Sequence, residues 1–558
     1  MSASASPVKK PLAAPLVAAA GLLLAFAAWS LPVNLKSLSP ALLRVAGAGT
    51  PTVAQFGRRL VDSEKIGPAA QELAAAKAIN DPGAADLESA LARLSAHEPE
   101  MVAWGGWDPF LDPLFNLHEN KGRTTSTPVL NFFLTEKARD LLRSYLEKSR
   151  SLGVQSILRT RDLTATGRFV PATQPGGQPL DAVILLTALL YQGEHLSPPL
   201  QRELRGLAET ATAQKELGAL EPVFLDLLSL GQRLDWAQLS ELLRGTEDTK
   251  TLGEFAHLAR VDPDQLPIIY AAALFSGSAD QVAAYLITYG KSGLADLRLA
   301  LAQGQGAVHQ LMLRQVPVNH GAGAGLDTAA SLALLHPRAM LIVKYLGFLL
   351  GAFLIFRGLD RWIVSPASDR SASLPHMKSG VLALLVAALL VLVTEPFLLK
   401  AAPLSEYRYR LVLPVLLSTA TPPAPATHHP TPTMDTSTLI SIGFFAALQV
   451  AMYFTCLLKI REVARSDLPP LTKLRLMENE ENLFDGGLYV GIGGTATALV
   501  LQVLGIIEPN LLAAYSSNLF GITCVALVKI RHVRPYKRTL ILESQVQTGV
   551  KLAAVSAS

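Results

Sequence analysis

The sequence predicts an all-α, polytopic membrane protein with about six transmembrane helices and a large helical extracytoplasmic domain. Half of the 558 residues are hydrophobic and 17% are charged, whereas soluble proteins are usually nearer 25% charged. The apolar excess lies at the N-terminus and after residue 338, with a soluble composition between. Basic residues flank apolar segments and form no stripe, so the net charge of +4 indicates membrane topology and not nucleic-acid binding.

Six apolar segments are long enough, or nearly so, to cross a ~30 Å hydrocarbon core, which takes about 20 residues. The first segment also suits a cleavable signal peptide, since Lys9 and Lys10 precede it and small residues end it. We favour an uncleaved anchor, and either interpretation sends the following segment out of the cytoplasm. The six segments are 12–29, 340–356, 381–399, 439–458, 488–507 and 511–528.

The distribution of lysine and arginine predicts the orientation of these segments. Basic residues are enriched on the cytoplasmic side of a membrane. They lie before the first segment, between the second and third, after the fourth and after the sixth. Lys400, Arg408 and Arg410 depart from the pattern, because they fall on the predicted outer side. The prediction is a multi-pass protein of a bacterial inner membrane with both termini in the cytoplasm.

This threading divides the chain into six parts. They are an N-terminal anchor or signal peptide (1–32), a helical periplasmic domain (33–337), a transmembrane hairpin (338–400), a Pro/Thr-rich periplasmic linker (401–437), a three-helix core (438–540) and a cytoplasmic tail (541–558).

The periplasmic domain has helical periodicity and few of the alternating segments that are typical of strands. Asp235 is expected to cap a helix, and Gly290 is expected to end another. The segment 182–191 is apolar nearly all round but too short to span a membrane, so it predicts a buried core helix. The sequence contains no metal-binding, serine-hydrolase or phosphate-loop motif. We therefore expect no enzyme, no metal and no cofactor.

Polar residues inside predicted crossings are expensive to bury and are candidates for function. Glu395 is an intramembrane carboxylate near the outer end of the third crossing, where an interfacial position is the simpler interpretation. Lys344 is expected to extend its ammonium to the outer surface. Gln449 and Gln502 are expected to form hydrogen bonds between helices.

The last two apolar segments combine small residues with hydroxyl and amide side chains. Small residues let helices approach closely. Polar groups at such a contact either bond the helices together or line a water-filled path, and the residues by themselves favour the first interpretation. The expected packing residues are Gly491, Gly493, Gly494 and Gly521, and the polar residues are Thr495, Thr497, Ser517 and Asn518.

Residues 438–540 resemble the three-helix core of the MotA/TolQ/ExbB family of proton-channel subunits. The second core helix of that family has the pattern tyrosine, glycine, two further residues, glycine and threonine, and its third has small residues and a threonine followed by glycine three positions later. The residues that match in order, with Val490 between the first two, are Tyr489, Gly491, Gly494 and Thr495 in the second helix, and the corresponding positions in the third are Ser517, Asn518 and Gly521.

The resemblance implies a homo-oligomer in the lipid bilayer around a single-spanning partner similar to ExbD or TolR. The partner would supply an aspartate that carries protons, and ion flow would drive work or transport across the envelope. The implied ion pathway is Thr495, Thr497, Ser517 and Asn518. The chain departs from the family at Asn518, which replaces threonine, and in its short loop 459–485, its added hairpin and its outer domain. The alternative function is a non-conducting envelope protein whose periplasmic domain binds a protein or cell-wall partner.

Overall fold

The computed structural model describes residues 13–117, 125–320, 327–363, 373–398, 405, 407, 436–503 and 511–556. All regular secondary structure in these residues is helical, and their β-type pairings are the isolated bridges Leu38–Val318 and Ala165–Glu216. The predicted all-α fold class is confirmed. The predicted linker 401–437 lies outside the described residues, apart from Ser405, Tyr407 and the first turn of the following helix.

The helices are numbered in chain order. They are α1 (Ala13–Trp29), α2 (Pro40–Gly47), α3 (Val53–Asp62), α4 (Ile66–Ala78), α5 (Ala84–His97), α6 (Asp112–Phe115), α7 (Val129–Phe133), α8 (Glu136–Leu146), α9 (Leu152–Arg159), α10 (Gln178–Gln192), α11 (Pro198–Gln214), α12 (Leu220–Gly231), α13 (Trp236–Arg244), α14 (Thr249–Val261), α15 (Leu266–Ser276), α16 (Ala279–Gln303), α17 (Gln305–Arg314), α18 (Asp327–Leu335), α19 (Pro337–Ile363), α20 (Ser373–Thr394), α21 (Thr436–Arg465), α22 (Pro470–Asn479), α23 (Glu481–Phe484), α24 (Gly486–Val503), α25 (Leu511–Ala526) and α26 (Arg534–Ser556).

The chain divides into two compact units. The terminal unit contains residues 1–37, 321–401 and 419–558, and the central unit contains residues 38–320 and 402–418. The central unit therefore takes in most of the soluble-like part of the sequence, and the terminal unit takes in the apolar segments.

Helix α10 lies at the core of the central unit. Every residue from Leu180 to Leu190 is buried, as expected for an apolar segment too short to span a membrane. The predicted cap of α13 is also present. The Asp235 carboxylate accepts from the Gln238 amide at 2.8 Å, and the Gln238 side chain accepts from the Asp235 amide at 3.1 Å. This reciprocal pair satisfies two amides that the helix cannot satisfy itself.

Gly290 separates two helical segments within α16. Its backbone angles, φ 57° and ψ −137°, are not helical and suit glycine, which has no β-carbon. The first helix therefore ends at Gly290, as expected, and a second begins directly after it. Leu294, Leu297 and Leu301 of the second segment are buried.

Ser405 and Tyr407 pack against the helices of the central unit. Tyr407 is buried, and its hydroxyl donates to Asp262 at 2.9 Å. Its carbonyl oxygen lies 2.8 Å from His257 Nε2. The Ser405 hydroxyl donates to the carbonyl of Leu286. At these two positions, chain from the predicted periplasmic linker is held against the helical domain.

In the described part of the terminal unit, two helical stretches are long and apolar enough to cross a membrane. They are Pro337–Arg361 in α19 and Ile442–Arg465 in α21. The stretches Ala14–Trp29 and Leu382–Thr394 are apolar but shorter. Membrane association is supported to this extent.

Helices α1 and α19 meet backbone to backbone through glycine and alanine. A β-carbon at Gly351 would lie 2.9 Å from both the Ala25 nitrogen and the Gly21 oxygen, and one at Gly347 would lie 2.7 Å from the Ala28 β-carbon. Glycine spaced by four residues on one helix allows this approach. We call this contact the α1–α19 seam.

Candidate functional site

The candidate site lies where α21, α24 and α25 pack together in the terminal unit. A β-carbon at Gly491 would lie 3.0 Å from the Ser517 carbonyl oxygen and 3.4 Å from the Gly521 α-carbon. One at Gly521 would lie 2.6 Å from the Gly487 carbonyl oxygen. Helices α24 and α25 therefore touch through their backbones at Gly487, Gly491 and Gly521, a contact that we call the α24–α25 seam.

Two hydroxyl groups of the predicted pathway converge on one carbonyl at this seam. Thr495 donates to the Gly491 oxygen at 3.0 Å from the same helix, and Ser517 donates to it at 3.3 Å from α25. Ser517 is fully buried. The Ser517 bond links the two helices directly, which is the role that small polar residues have in membrane helix contacts.

Two amide side chains add unsatisfied oxygen atoms to the same three-helix contact. Gln449 of α21 donates through Nε2 to the Gly487 carbonyl at 3.0 Å. Its Oε1 is buried and accepts from no group among the described residues, and the same holds for Asn518 Oδ1. A buried acceptor without a donor costs about 1–3 kcal/mol. The site is therefore polar and has unused capacity to accept hydrogen bonds.

The other predicted residues are distributed unevenly around this contact. Gly494 faces Ser517 and Phe445. Gly493 lies outside the seam, because a β-carbon there would meet nothing within 4 Å. Tyr489, part of the motif that carries the resemblance, is exposed. The side chain of Thr497 lies outside the described residues. The geometry thus brings together Gly491, Gly494, Gly521, Thr495, Ser517 and Asn518.

Sequence reasoning missed Gly487 and gave Gln449 only a packing role. Gly487 stands four residues before Gly491, so the spacing of small residues is the signal that could have identified it. Nothing in the sequence indicates that Gln449 reaches the α24–α25 seam, since it comes from a third helix.

A second polar cluster joins Glu395 and Lys344 at the C-terminal end of α20. Glu395 is fully buried, and its Oε1 accepts from the Leu35 amide at 2.8 Å and from the Tyr345 hydroxyl at 3.2 Å. Lys344 donates to the Val33 carbonyl at 2.6 Å and to Asn34 Oδ1 at 2.7 Å. These bonds fix the segment after α1 to α19 and α20.

The expectation that Lys344 extends to the outer surface is wrong, because the residue is 2% exposed. The backbone carbonyl and amide oxygens after α1 provide acceptors inside the protein, so the ammonium has no need to reach water. Sequence alone could not find them, since they lie more than 300 positions away in the chain.

The central unit has a buried acidic group in Asp235. Burial raises its pKa to about 7, although hydrogen bonds from the Gln238 amide and the Ser126 hydroxyl act in the opposite direction. Glu72 is also fully buried, and neither of its oxygens has a partner among the described residues. Burial raises the pKa of Glu72 well above its ordinary value. Both groups favour the neutral acid inside the fold.

Asp108 illustrates the opposite outcome. Burial acts to raise its pKa, but hydrogen bonds from His195 and Trp236 lower it below the ordinary value. His195 Nε2 lies 3.0 Å from Asp108, and its Nδ1 lies 3.0 Å from Arg244. The network links Asp108 and His195 to Trp236 and Arg244 of α13 within the central unit.

The described residues contain no group of three or more histidine, cysteine or acidic side chains arranged to hold a metal ion. Comparison of the chain with protein-family models, with curated proteins and with solved structures finds no match in any of the three.

Proposed function

We propose that this chain is a multi-pass inner-membrane protein that couples ion movement to work or transport across the envelope. In this proposal all six apolar segments cross the bilayer, and residues 438–540 form a TolQ/ExbB-like core. Several copies of the core surround a single-spanning partner that carries a membrane carboxylate. The proposal involves no enzymatic chemistry.

One observation carries the proposal: the three-helix core has buried amide oxygens that no described group satisfies. Gln449 Oε1 and Asn518 Oδ1 both accept nothing from the described residues. Inside a bilayer there is no bulk water that could donate hydrogen bonds to these oxygens. Water in an ion path, a hydrated cation or a polar group of a partner helix would each supply the missing donor.

The α1–α19 seam supports retention of the first segment as a membrane helix. Ala14 and Ala28 are buried, and the glycines of α19 approach the α1 backbone closely. Cleavage after residue 29 would expose that glycine surface. The mature protein is therefore proposed to keep α1, and the intact mass of the purified chain measures this directly.

Proton flux into liposomes tests the ion pathway. Purified protein is reconstituted with a candidate single-spanning partner, and acidification of the lumen is followed with a pH-sensitive dye. We expect Thr495→Val and Asn518→Leu each to reduce flux at least tenfold, as expected when a preorganised polar contact is lost in a low-dielectric site. Thr523→Val is the matched control, because Thr523 is exposed and bonds only along its own helix.

Two results would count against conduction. One is wild-type flux no greater than that of protein-free vesicles, with several candidate partners present. The other is flux that Asn518→Leu and Thr495→Val leave unchanged, which would remove both side chains from the path.

A second function is favoured by a different observation: the Thr495 and Ser517 hydroxyls are both bonded to the Gly491 carbonyl. Hydroxyls used in this way hold helices together. In this alternative the core is a non-conducting anchor, and the helical domain binds a protein or cell-wall partner in the periplasm. Ser517→Ala would then lower thermal stability in detergent, and no variant would show flux.

A further inference from the structure

The C-terminal ends of the apolar segments 439–458 and 511–528, with the chain that follows each, form a compact body in the terminal unit. It encloses a core made of Cys456, Val463, Met477, Phe484, Cys524, Val528 and Val533. Helix α22 packs against both α21 and α26. The Tyr453 hydroxyl lies 2.8 Å from Nε2 of His532, which belongs to the π-helical turn Leu527–Val533 between α25 and α26. Side chains on these elements therefore keep fixed relative positions.

Two lysines of this body form ion pairs with its acidic residues. Lys459 pairs with Glu480 at 3.2 Å, and Lys529 pairs with Asp485 at 2.7 Å. Lys473 donates to the carbonyl of Ala464. These bonds connect α21, α22, α23 and the π-helical turn, so they have a structural role and use up much of the local negative charge.

The arginines of the same body are exposed. None of them forms an ion pair with any residue that the structure describes, although all lie on the elements just described. We call this set the basic collar: Arg461, Arg465, Arg475, Arg531, Arg534 and Arg538.

Exposed apolar side chains accompany the basic collar. Leu468, Leu471 and Leu476, in α22 and just before it, are all exposed. Exposed leucine beside arginine is typical of protein surfaces that lie in a membrane interface. Arg461 and Arg531 come three residues beyond the predicted ends of their crossings and Arg534 six, so they lie within about 9 Å of the hydrocarbon at ~1.5 Å per residue.

We propose that the basic collar binds the phosphate headgroups of anionic phospholipids on the cytoplasmic side of the membrane. The guanidinium group presents paired N–H donors that match phosphate oxygens, and unpaired arginine is the residue best suited to this contact. The neighbouring leucines place the collar at headgroup depth. This inference rests on the membrane placement in the proposed function and is independent of ion conduction.

Native mass spectrometry of the full-length protein tests the proposal. The protein is released from detergent containing equal amounts of phosphatidylglycerol and phosphatidylcholine, and retained lipids are counted. We expect phosphatidylglycerol to be retained preferentially. Because each basic residue near a membrane surface contributes about a fivefold gain in affinity for anionic lipid, the triple variant Arg461→Gln, Arg531→Gln, Arg534→Gln should lose roughly a hundredfold.

A matched variant removes the same charge from the central unit: Arg58→Gln, Arg202→Gln, Arg205→Gln, three arginines that are exposed. It should keep the wild-type lipid preference.

For the wild-type protein, ~1 M salt should abolish the preference, which gives a test even where the triple variant fails to fold. Equal retention of the two lipids, an unaltered preference in the triple variant, or displacement of phosphatidylglycerol by millimolar inorganic phosphate would each overturn the proposal. Failure of the flux assay would leave it intact.

Discussion

Single buried acids set the pH dependence of the central unit. An aspartate in an unfolded chain titrates near 3.9, whereas burial raises the pKa of Asp235 to about 7. Below about pH 4 the group is protonated in both states, and its contribution to stability is fully present. Between about pH 4 and 7 only the unfolded state releases the proton. Stability therefore falls as pH rises through this window.

Asp235→Asn should flatten that dependence. A shift of about three units corresponds to about 4 kcal/mol at most. Asparagine also caps helices well, so the variant should keep α13 while losing the titration. Melting of the full-length protein, followed by tryptophan fluorescence from pH 4 to 8, measures the slope, and Glu72 should leave a residual slope of the same sign. Asp86→Asn, at an exposed position, is the control. Equal slopes in wild type and Asp235→Asn would contradict the expectation.

The structural role of a residue could be predicted from the sequence where that role depends on its neighbours in the chain. Asp235 directly precedes a helical apolar pattern, and that placement predicts the helix cap. Lys344 could not be placed correctly, because its acceptors Val33 and Asn34 lie in a distant part of the chain. Asn518 was identified as a polar residue, but its unsatisfied oxygen depends on what three helices place around it.

Helix contacts in the terminal unit depend on glycine more than on apolar volume. Lipid is as apolar as leucine, so membrane helices gain little from hydrophobic burial and associate through close backbone contact. The α1–α19 and α24–α25 seams are both built in this way. The length of their apolar segments predicted that these helices exist, whereas the pairing of α1 with α19 has no local signal and could not be predicted.

Gly351→Val should disrupt the α1–α19 seam. Its β-carbon would lie 2.9 Å from two backbone atoms of α1, and overpacking of this kind costs about 1–3 kcal/mol. We expect a lower melting temperature in detergent and faster proteolysis of α1. Gly380→Val, where a β-carbon meets nothing within 4 Å, controls for valine in an apolar helix. Equal melting temperatures for the two variants would show that the seam contributes nothing to stability.

Gly491→Val and Gly493→Val form a sharper pair, because they lie two positions apart on α24. Valine at Gly491 would press on Ser517 and Gly521 of α25, whereas at Gly493 it would meet open space. We expect Gly491→Val to be destabilised by about 1–3 kcal/mol in thermal melts and Gly493→Val to stay within about 0.5 kcal/mol of wild type. The reverse order would mean that α24 presents its other face to α25.

At the scale of the whole molecule, Tyr407 constrains the proposed threading of the chain through a membrane. Tyr407 bonds to Asp262 and His257, so the segment after α20 and the helical domain belong to one folded body. That body cannot be divided by a bilayer. In the proposed threading, the third crossing would then have to end on the side that holds residues 38–320. Lys400, Arg408 and Arg410, which depart from the charge pattern, would follow the same proposed crossing.

Cysteine labelling in intact cells tests this threading without relying on any activity. Ser89→Cys places a thiol on an exposed position of α5, and Glu543→Cys places one on an exposed position of α26. The native Cys456 and Cys524 are buried, so they contribute little background. A membrane-impermeant maleimide should label Ser89→Cys in intact spheroplasts and Glu543→Cys only after permeabilisation. The proposed threading has an odd number of crossings between α5 and α26, whereas labelling of both positions from outside would mean an even number. That result would also contradict the cytoplasmic placement on which the basic collar depends.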